Sequence, residues 1–473
     1  MTNRLLLSVL LLVSSASGGF SQIRETVFEP VRFEDGTPVT GEAEAEDLFA
    51  RDTFRADTTF TEKGDTLIIH RHASAFVRMQ LDGLPTDAVL DRIMLVPMEG
   101  EVSELPVSVS ESGKLVFWMA KEPGILLAAA AVAQAKNGRI WSVRLPSIDL
   151  QPGIAYAWTG TCLTPDAPDA GLTATPLPQT LLDIDSGEYS GITRIQGNRY
   201  AVVSDNLKGG GILHFAIPVD MDGNVGPVSI RLAAGTADAS GKAGDCEGIA
   251  YVPSTGTLYV STEKQEIREY DLAGRETGKA LRIPDDLGAE HIQPNRGFEA
   301  LSYNDSTGLF WTTTESPLKQ DTFLPRLHRL QSFRLDGGPA ERFLYQEDIT
   351  VQTSVNTTAY VHGIPAVTAL NDGRLLVLER EVYVPKGGFW DKLSNSFTKT
   401  DLYLVDPVHD TAGILRKTLL CTFTTGALDL ANYEGMCLGP VLPDGQRTLL
   451  LIADSQNGSG GLTNEYVKVI LLR

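Results

Sequence analysis

Apolar and polar residues alternate with a two-residue period along most of this chain, in short runs broken by glycine, proline and aspartate. That is the pattern of β-strands with one buried face. In the first third, Thr66–His70 and Lys114–Trp118 read as strands, and Asn137-Gly138 between two apolar runs predicts a tight hairpin. The alanines at 128–131 favour helix by propensity, but the hairpin context makes this segment a strand. From Tyr189 onward the alternation recurs in five similar sets. These are YSGITRIQGNRYAVVSDN, CEGIAYVPSTGTLYVSTE, FEALSYNDSTGLFWTTTE, IPAVTALNDGRLLVLERE and YEGMCLGPVLPDGQRTLLLIADSQN.

Each set carries three strand signals, the third ending in aspartate and a turn, as at Glu269-Tyr270-Asp271 and Leu402–Asp406. A fourth apolar segment precedes the next set: Ala280–Ile283, Arg342–Tyr345 and Lys417–Phe423. Four strands per repeat of this length predict a propeller blade rather than a solenoid turn. The last set ends with Tyr466–Leu472 and lacks an outer strand, while an orphan segment, Gln179–Ile184, precedes the first. Pairing the two latches a ring of five blades, with room for a poorly patterned sixth. The expected fold is therefore all-β, an N-terminal β-sandwich followed by a β-propeller.

The chain of 473 residues is long enough for two domains. Residues 1–22 have one basic residue, an apolar run from Leu5 to Val13 and small residues after it, which predicts a cleaved signal peptide. That run is too short to span a bilayer. The expected domains are 23–161 for the sandwich and 179–473 for the propeller, with a proline-rich linker over 162–178. A periplasmic or secreted protein follows, its sandwich docking to a surface or glycan partner. The four cysteines are too few for a disulfide scaffold, and none shows metal-ligand spacing. A net charge of −20, from 60 acids against 40 bases, disfavours nucleic acid.

The acids recur in register. The second residue of each set is Ser190, Glu247, Glu299, Pro365 or Glu434, and strand two ends on Asp205, Glu263, Glu315, Glu379 or Asp454. The first strand of a blade is innermost, so Ser190, Glu247, Glu299 and Glu434 converge on one axis. Clustered carboxylates must share a cation or gain protons, and a flexible oxygen cage suits Ca²⁺. A lone glutamate at a strand end more often pairs with Arg or Lys; three in register favour the metal. Arg296 and Arg380 are candidate phosphate receptors, with Arg–Glu pairing as the plain alternative. Glu315 and Glu379 are candidate general bases, with a solvated face as the plain alternative, and His362, just before the fourth set, is a candidate acid–base group against a structural role. Asp220–Asn224 starts like an EF-hand loop but has Arg231 in the twelfth position, so a tight turn is expected.

The segments D-C-E-G-I-A, N-R-G-F-E-A-L, T-E-S-P-L and L-L-V-L-E-R, with the last strand Leu451–Asp454, resemble the bacterial domain called esterase-like activity of phytase. The resemblance covers about 185 to 473 and implies a propeller-like fold linked to phosphoester hydrolysis. Its matching positions are Glu247, Glu299, Glu315, Glu379, Arg380 and Asp454. Where the family has Asp followed by paired asparagines, this chain has Asp454-Ser455-Gln456-Asn457. A more distant similarity is to calcium-activated nucleotidases, five-bladed propellers with an axial Ca²⁺. It implies Ser190, Glu247, Glu299 and Glu434 as ligands and places His362-Gly363 before the fourth blade, where Pro365-Ala366 replaces serine. Separately, the segment Leu150–Trp158 resembles the closing strand of fimbrillin-type surface domains.

The expected function is a Ca²⁺-dependent phosphoester hydrolase acting on a small phosphorylated or ester substrate. Two alternatives stand beside it, a non-enzymatic binding propeller with structural Ca²⁺ and a metal-dependent lactonase or esterase.

Overall fold

The computed structural model describes residues 23–29, 31–39, 43–60, 66–98, 102–105, 114–121, 123–126, 129–167, 171–184, 187–204, 211–234, 246–348, 357–426, 428–455 and 464–473. The expected signal segment 1–22, Asp205, Gln456 and Asn457 lie outside the described residues. The described residues are all-β apart from the short helices Ala43–Arg51 and Phe389–Asn395 and two single 3-10 turns. No helix among them is long and apolar enough to cross a membrane. The chain divides into two compact units, Met1–Thr164 and Pro165–Arg473.

In the first unit the Asn137-Gly138 turn joins the antiparallel strands Ala129–Ala135 and Ile140–Arg144, with Gly138 at φ 85° where a side chain would be strained. From Ala129 the alanine run is a strand with both faces enclosed, since Ala130, Ala131 and Ala133 have no exposed surface; Ala128 lies outside the described residues. These strands continue through Leu90–Pro97 to Ser103–Leu105 in one four-stranded sheet. A second sheet runs Arg32–Phe33, Ile154–Thr161, Ala75–Asp82 and Leu115–Lys121, with Ile154–Thr161 parallel to its neighbour Ala75–Asp82. Val77, Met79 and Leu81 of one sheet meet Ile93, Leu95, Ala133 and Trp141 of the other in a single core. Burying each large member of that core contributes about 1.5–3 kcal/mol.

The second unit is five antiparallel sheets in chain order. Their first strands are Tyr189–Gln196, Cys246–Val252, Phe298–Asn304, Thr357–Ala369 and Asn432–Val441. Each first strand packs on the next, and the fifth packs back on the first. Glycine permits three of these approaches: a Cβ on Gly191 would lie 2.4 Å from the Glu247 carbonyl, one on Gly248 2.7 Å from the Glu299 carbonyl, and one on Gly435 2.9 Å from the Ser190 carbonyl.

The outer strand of the fifth sheet comes from far upstream. Ala174–Pro176 and Thr180–Leu181 both pair antiparallel with Tyr466–Leu472. Lys468 Nζ donates to the Leu177 carbonyl at 2.7 Å and Tyr433 Oη to Gln179 at 2.8 Å. In the second sheet the outer strand is Glu276–Ala280, not the apolar Ala280–Ile283. An edge strand faces water, so its five exposed residues carry no apolar signal. Asp220–Asn224 forms the tight turn, with the Asp220 carboxylate accepting from the Asp222 and Asn224 amides at 2.9 and 2.8 Å. Cys162, Cys246, Cys421 and Cys437 are all free thiols.

Candidate functional site

Every first strand of the second unit breaks register at its recurring position. The pairing skips between Tyr189 and Gly191, Cys246 and Ile249, Phe298 and Ala300, Gly363 and Ala366, and Tyr433 and Gly435. The residues left out of the ladders are Ser190, Glu247 with Gly248, Glu299, Ile364 with Pro365, and Glu434. A bulge re-aims the side chain it carries, and a bulge also tolerates proline, which cannot donate to a ladder. The repeat seen in the sequence is thus a repeat of bulges.

Ser190, Glu299, Pro365 and Glu434 line one cavity where these strands meet. The Ser190 hydroxyl is buried and has no hydrogen-bond partner among the described residues. Carboxylate oxygens of Glu247, Glu263 and Glu299 lie within 4.8 Å of one another. Burial first, then the charges of Glu247, Glu315 and Glu434, push the Glu299 carboxyl well above the usual range, against the opposing charge of Arg380. A site that leaves a buried hydroxyl unsatisfied and crowds carboxylates fits a hard cation by donor chemistry alone.

Arg380 is the buried counter-charge. Its Nη1 donates to Asn432 at 2.5 Å and Glu434 at 2.8 Å, and its Nη2 donates to Glu315. Burial opposes its charge, yet Glu315, Glu434 and Glu299 outweigh burial and raise its pKa. Arg296 donates from Nη1 to the other oxygen of Glu315, and its side chain is 31% exposed. Glu315 therefore sits between two guanidiniums, an arrangement that fixes a carboxylate in place. Asp454 is buried and stands opposite Asn432 in the fifth sheet's ladder.

Glu379 neighbours Arg380 in the strand Leu375–Pro385 and so points to the opposite face. There it accepts from Tyr345 Oη, from Lys417 Nζ at 2.6 Å and from the Asp348 amide at 2.8 Å. Burial pushes its carboxyl up to about 7 against the lowering effect of Lys417 and Tyr345. It lines a second pocket with Glu347, Asp348, Arg380, Glu381, Lys399 and Asp401.

His362 is held by a residue that sequence reasoning missed. Its Nδ1 is 3.1 Å from both oxygens of Glu347, whose Oε2 also lies 3.4 Å from His328 Nε2. Burial alone would raise the Glu347 carboxyl, but hydrogen bonds from His328 and His362 prevail and hold it at about 2. Lys417, Tyr345 and Asn432 were likewise missed, because each reaches the site from another strand or sheet and shares no spacing with it. Glu263 had a signal, its register with the other strand-two acids.

Residues 184–456 match the model of the phytase-like family, described as esterase-like activity of phytase. A search of the curated proteins finds no match.

Proposed function

The chain belongs to the phytase-like family, and on that premise we propose that it is an exported, Ca²⁺-dependent phosphoester hydrolase built on a five-bladed propeller. Four four-stranded sheets and a fifth of five strands, with first strands that pack in a closed series, support the propeller. The buried, unpartnered Ser190 hydroxyl in a cavity shared with Glu299 and Glu434 carries the reading. Ser190, Glu247, Glu299 and Glu434 would hold the cation, and their oxygen-only donors suit Ca²⁺.

A bound divalent cation supplies polarisation of a phosphoryl oxygen and orientation of the ester. Arg296, partly exposed, would present its remaining N–H groups to the non-bridging oxygens, a geometry guanidinium matches in bidentate fashion. Arg380 acts as a positioning residue, holding Glu315 and Glu434 in place. Glu315, fixed between Arg296 and Arg380 beside Glu299, takes the proton of the attacking water. His362, fixed through Nδ1 by Glu347, gives a proton to the departing ester oxygen. The water oxygen bonds to phosphorus as the ester P–O bond breaks.

The same polarisation would act on a carbonyl, and the family's description is esterase-like. The partly exposed Arg296 favours the phosphoryl substrate, since a carbonyl ester brings no anionic oxygens for its fork. The test is release of phosphate or p-nitrophenol from aryl phosphomonoesters and phosphodiesters, with carboxylester controls, by EDTA-stripped protein titrated with Ca²⁺. Stimulation by Ca²⁺ on phosphoesters supports the reading. A melting point lowered by EDTA, with no hydrolysis to lose, would mark a purely structural cation.

A further inference from the structure

The fourth sheet continues well past its bulge. Residues 357–363 precede the break in its first strand and pair with residues 380–385 of the second, which pair in turn with the third. Residues directly opposite one another in such a ladder share a face. One face of this overhang therefore carries successive rows. Glu379 and Asp401 stand nearest the bulge, then His362, Glu381 and Lys399. Tyr360, Tyr383 and Phe397 form the outermost row. Each row lies two residues, about 7 Å, beyond the last. The Tyr383 and Phe397 rings stack with centroids 5.4 Å apart, and the Tyr360 ring is 5.6 Å from that of His362. All three aromatic residues are half-buried.

The inner rows line the second pocket, where Glu347 holds His362. Charge in this pocket does not balance at Glu381. Lys399 stands opposite it but turns to Asp401 at 2.7 Å, and Lys417 is engaged by Glu379 at 2.6 Å. The Glu381 side chain is buried and accepts from Tyr360 Oη at 2.6 Å. That neutral hydroxyl is its one side-chain partner among the described residues. A buried carboxylate calls for a compensating cation. An ammonium group supplies one, and aromatic rings beside it attract the same cation through their negative faces. A neutral ring alcohol would stack on the row yet leave Glu381 without its counter-charge.

His362, the proton donor to the departing ester oxygen, shares a row with Glu381, so the departing alcohol lies over this face. We propose that Glu381 and the Tyr360–Tyr383–Phe397 row bind that alcohol, and that it carries an ammonium group a short alkyl chain from the ester oxygen. The proposal rests on the phosphoester reading above and names its substrate class, phosphoesters of amino alcohols.

Choline and its uncharged isostere 3,3-dimethylbutanol, titrated calorimetrically into the full chain with Ca²⁺, test the subsite without turnover. Phosphate release from the monoesters of the same two alcohols tests it as a determinant of specificity. The expected results are binding of choline tighter by about tenfold or more, and a similar preference in kcat/KM for its ester. Glu381→Gln should bring both ratios close to one, and Tyr383→Leu should lower both. Hydrolysis of both esters at equal kcat/KM, with no choline selectivity in binding, overturns the subsite and leaves the proposed function intact. Ratios in Glu381→Gln equal to those of the wild type also overturn it. Selective binding of choline, lost in Glu381→Gln, with hydrolysis of neither ester keeps the ammonium subsite and overturns the phosphoester reading. Thermal melts identify a variant that fails to fold, and Tyr383→Leu, which leaves the carboxylate in place, carries the test if Glu381→Gln does so.

Discussion

Arg380 donates through Nη1 to Glu434 at 2.8 Å, joining the second strand of the fourth sheet to the bulge of the fifth. Its Nη2 reaches back to Glu315 at the end of the third. One guanidinium thus neutralises carboxylates from two neighbouring sheets. Replacing it with methionine leaves those carboxylates without their shared counter-charge. Breaking a buried pair this way costs about 3–5 kcal/mol. Urea melts should show that loss for Arg380→Met in EDTA, with Ca²⁺ restoring part of it.

Ser190→Ala separates a ligand from a structural hydroxyl. The hydroxyl makes no hydrogen bond with the described residues, so its removal should change stability in EDTA by less than about 0.5 kcal/mol. The Ca²⁺ affinity should fall at least tenfold. Calorimetry with parallel melts checks both, and unchanged affinity would remove Ser190 from the ligand set.

Much of this site was legible as a register. The spacing of Ser190, Glu247, Glu299, Pro365 and Glu434 marked the bulge positions before any strand was paired. The outermost strand of the fifth sheet was foreshadowed by the orphan segment at Gln179–Ile184, although Ala174–Pro176 adds to it. Other features carried no local signal. Glu379 and Arg380 look like one motif, yet strand alternation sends them to opposite faces and different partners. Glu347 meets His328 and His362 only because two sheets bring them together.

Glu379 sets a pH dependence of stability. Burial raises its carboxyl from 4.5 to about 7 in the folded chain, so the stability held by its protonated form is lost as pH rises from about 4.5 through 7. Glu379→Gln stays neutral, so wild type should lose stability relative to it across that range. Denaturant melts from pH 5 to 9 check the sign, and a gap that does not change with pH would contradict it.

Glu347 governs acid stability. Its carboxyl is lowered from 4.5 to about 2 in the folded chain, so its ionised form stabilises the fold fully above about 4.5. That contribution, on the order of 3 kcal/mol, is lost as pH falls toward 2. Glu347→Gln should therefore be less stable at pH 6, with the gap to wild type closing as pH falls to 2. Denaturant melts across that range check the sign.

Hydrolysis of an aryl phosphoester by EDTA-stripped wild type and by folded Glu299→Gln, each titrated with Ca²⁺, addresses the central claim most directly. The account predicts saturable Ca²⁺ stimulation in the wild type and none in the variant. Hydrolysis that is the same with EDTA as with Ca²⁺, or that survives in Glu299→Gln, would contradict it.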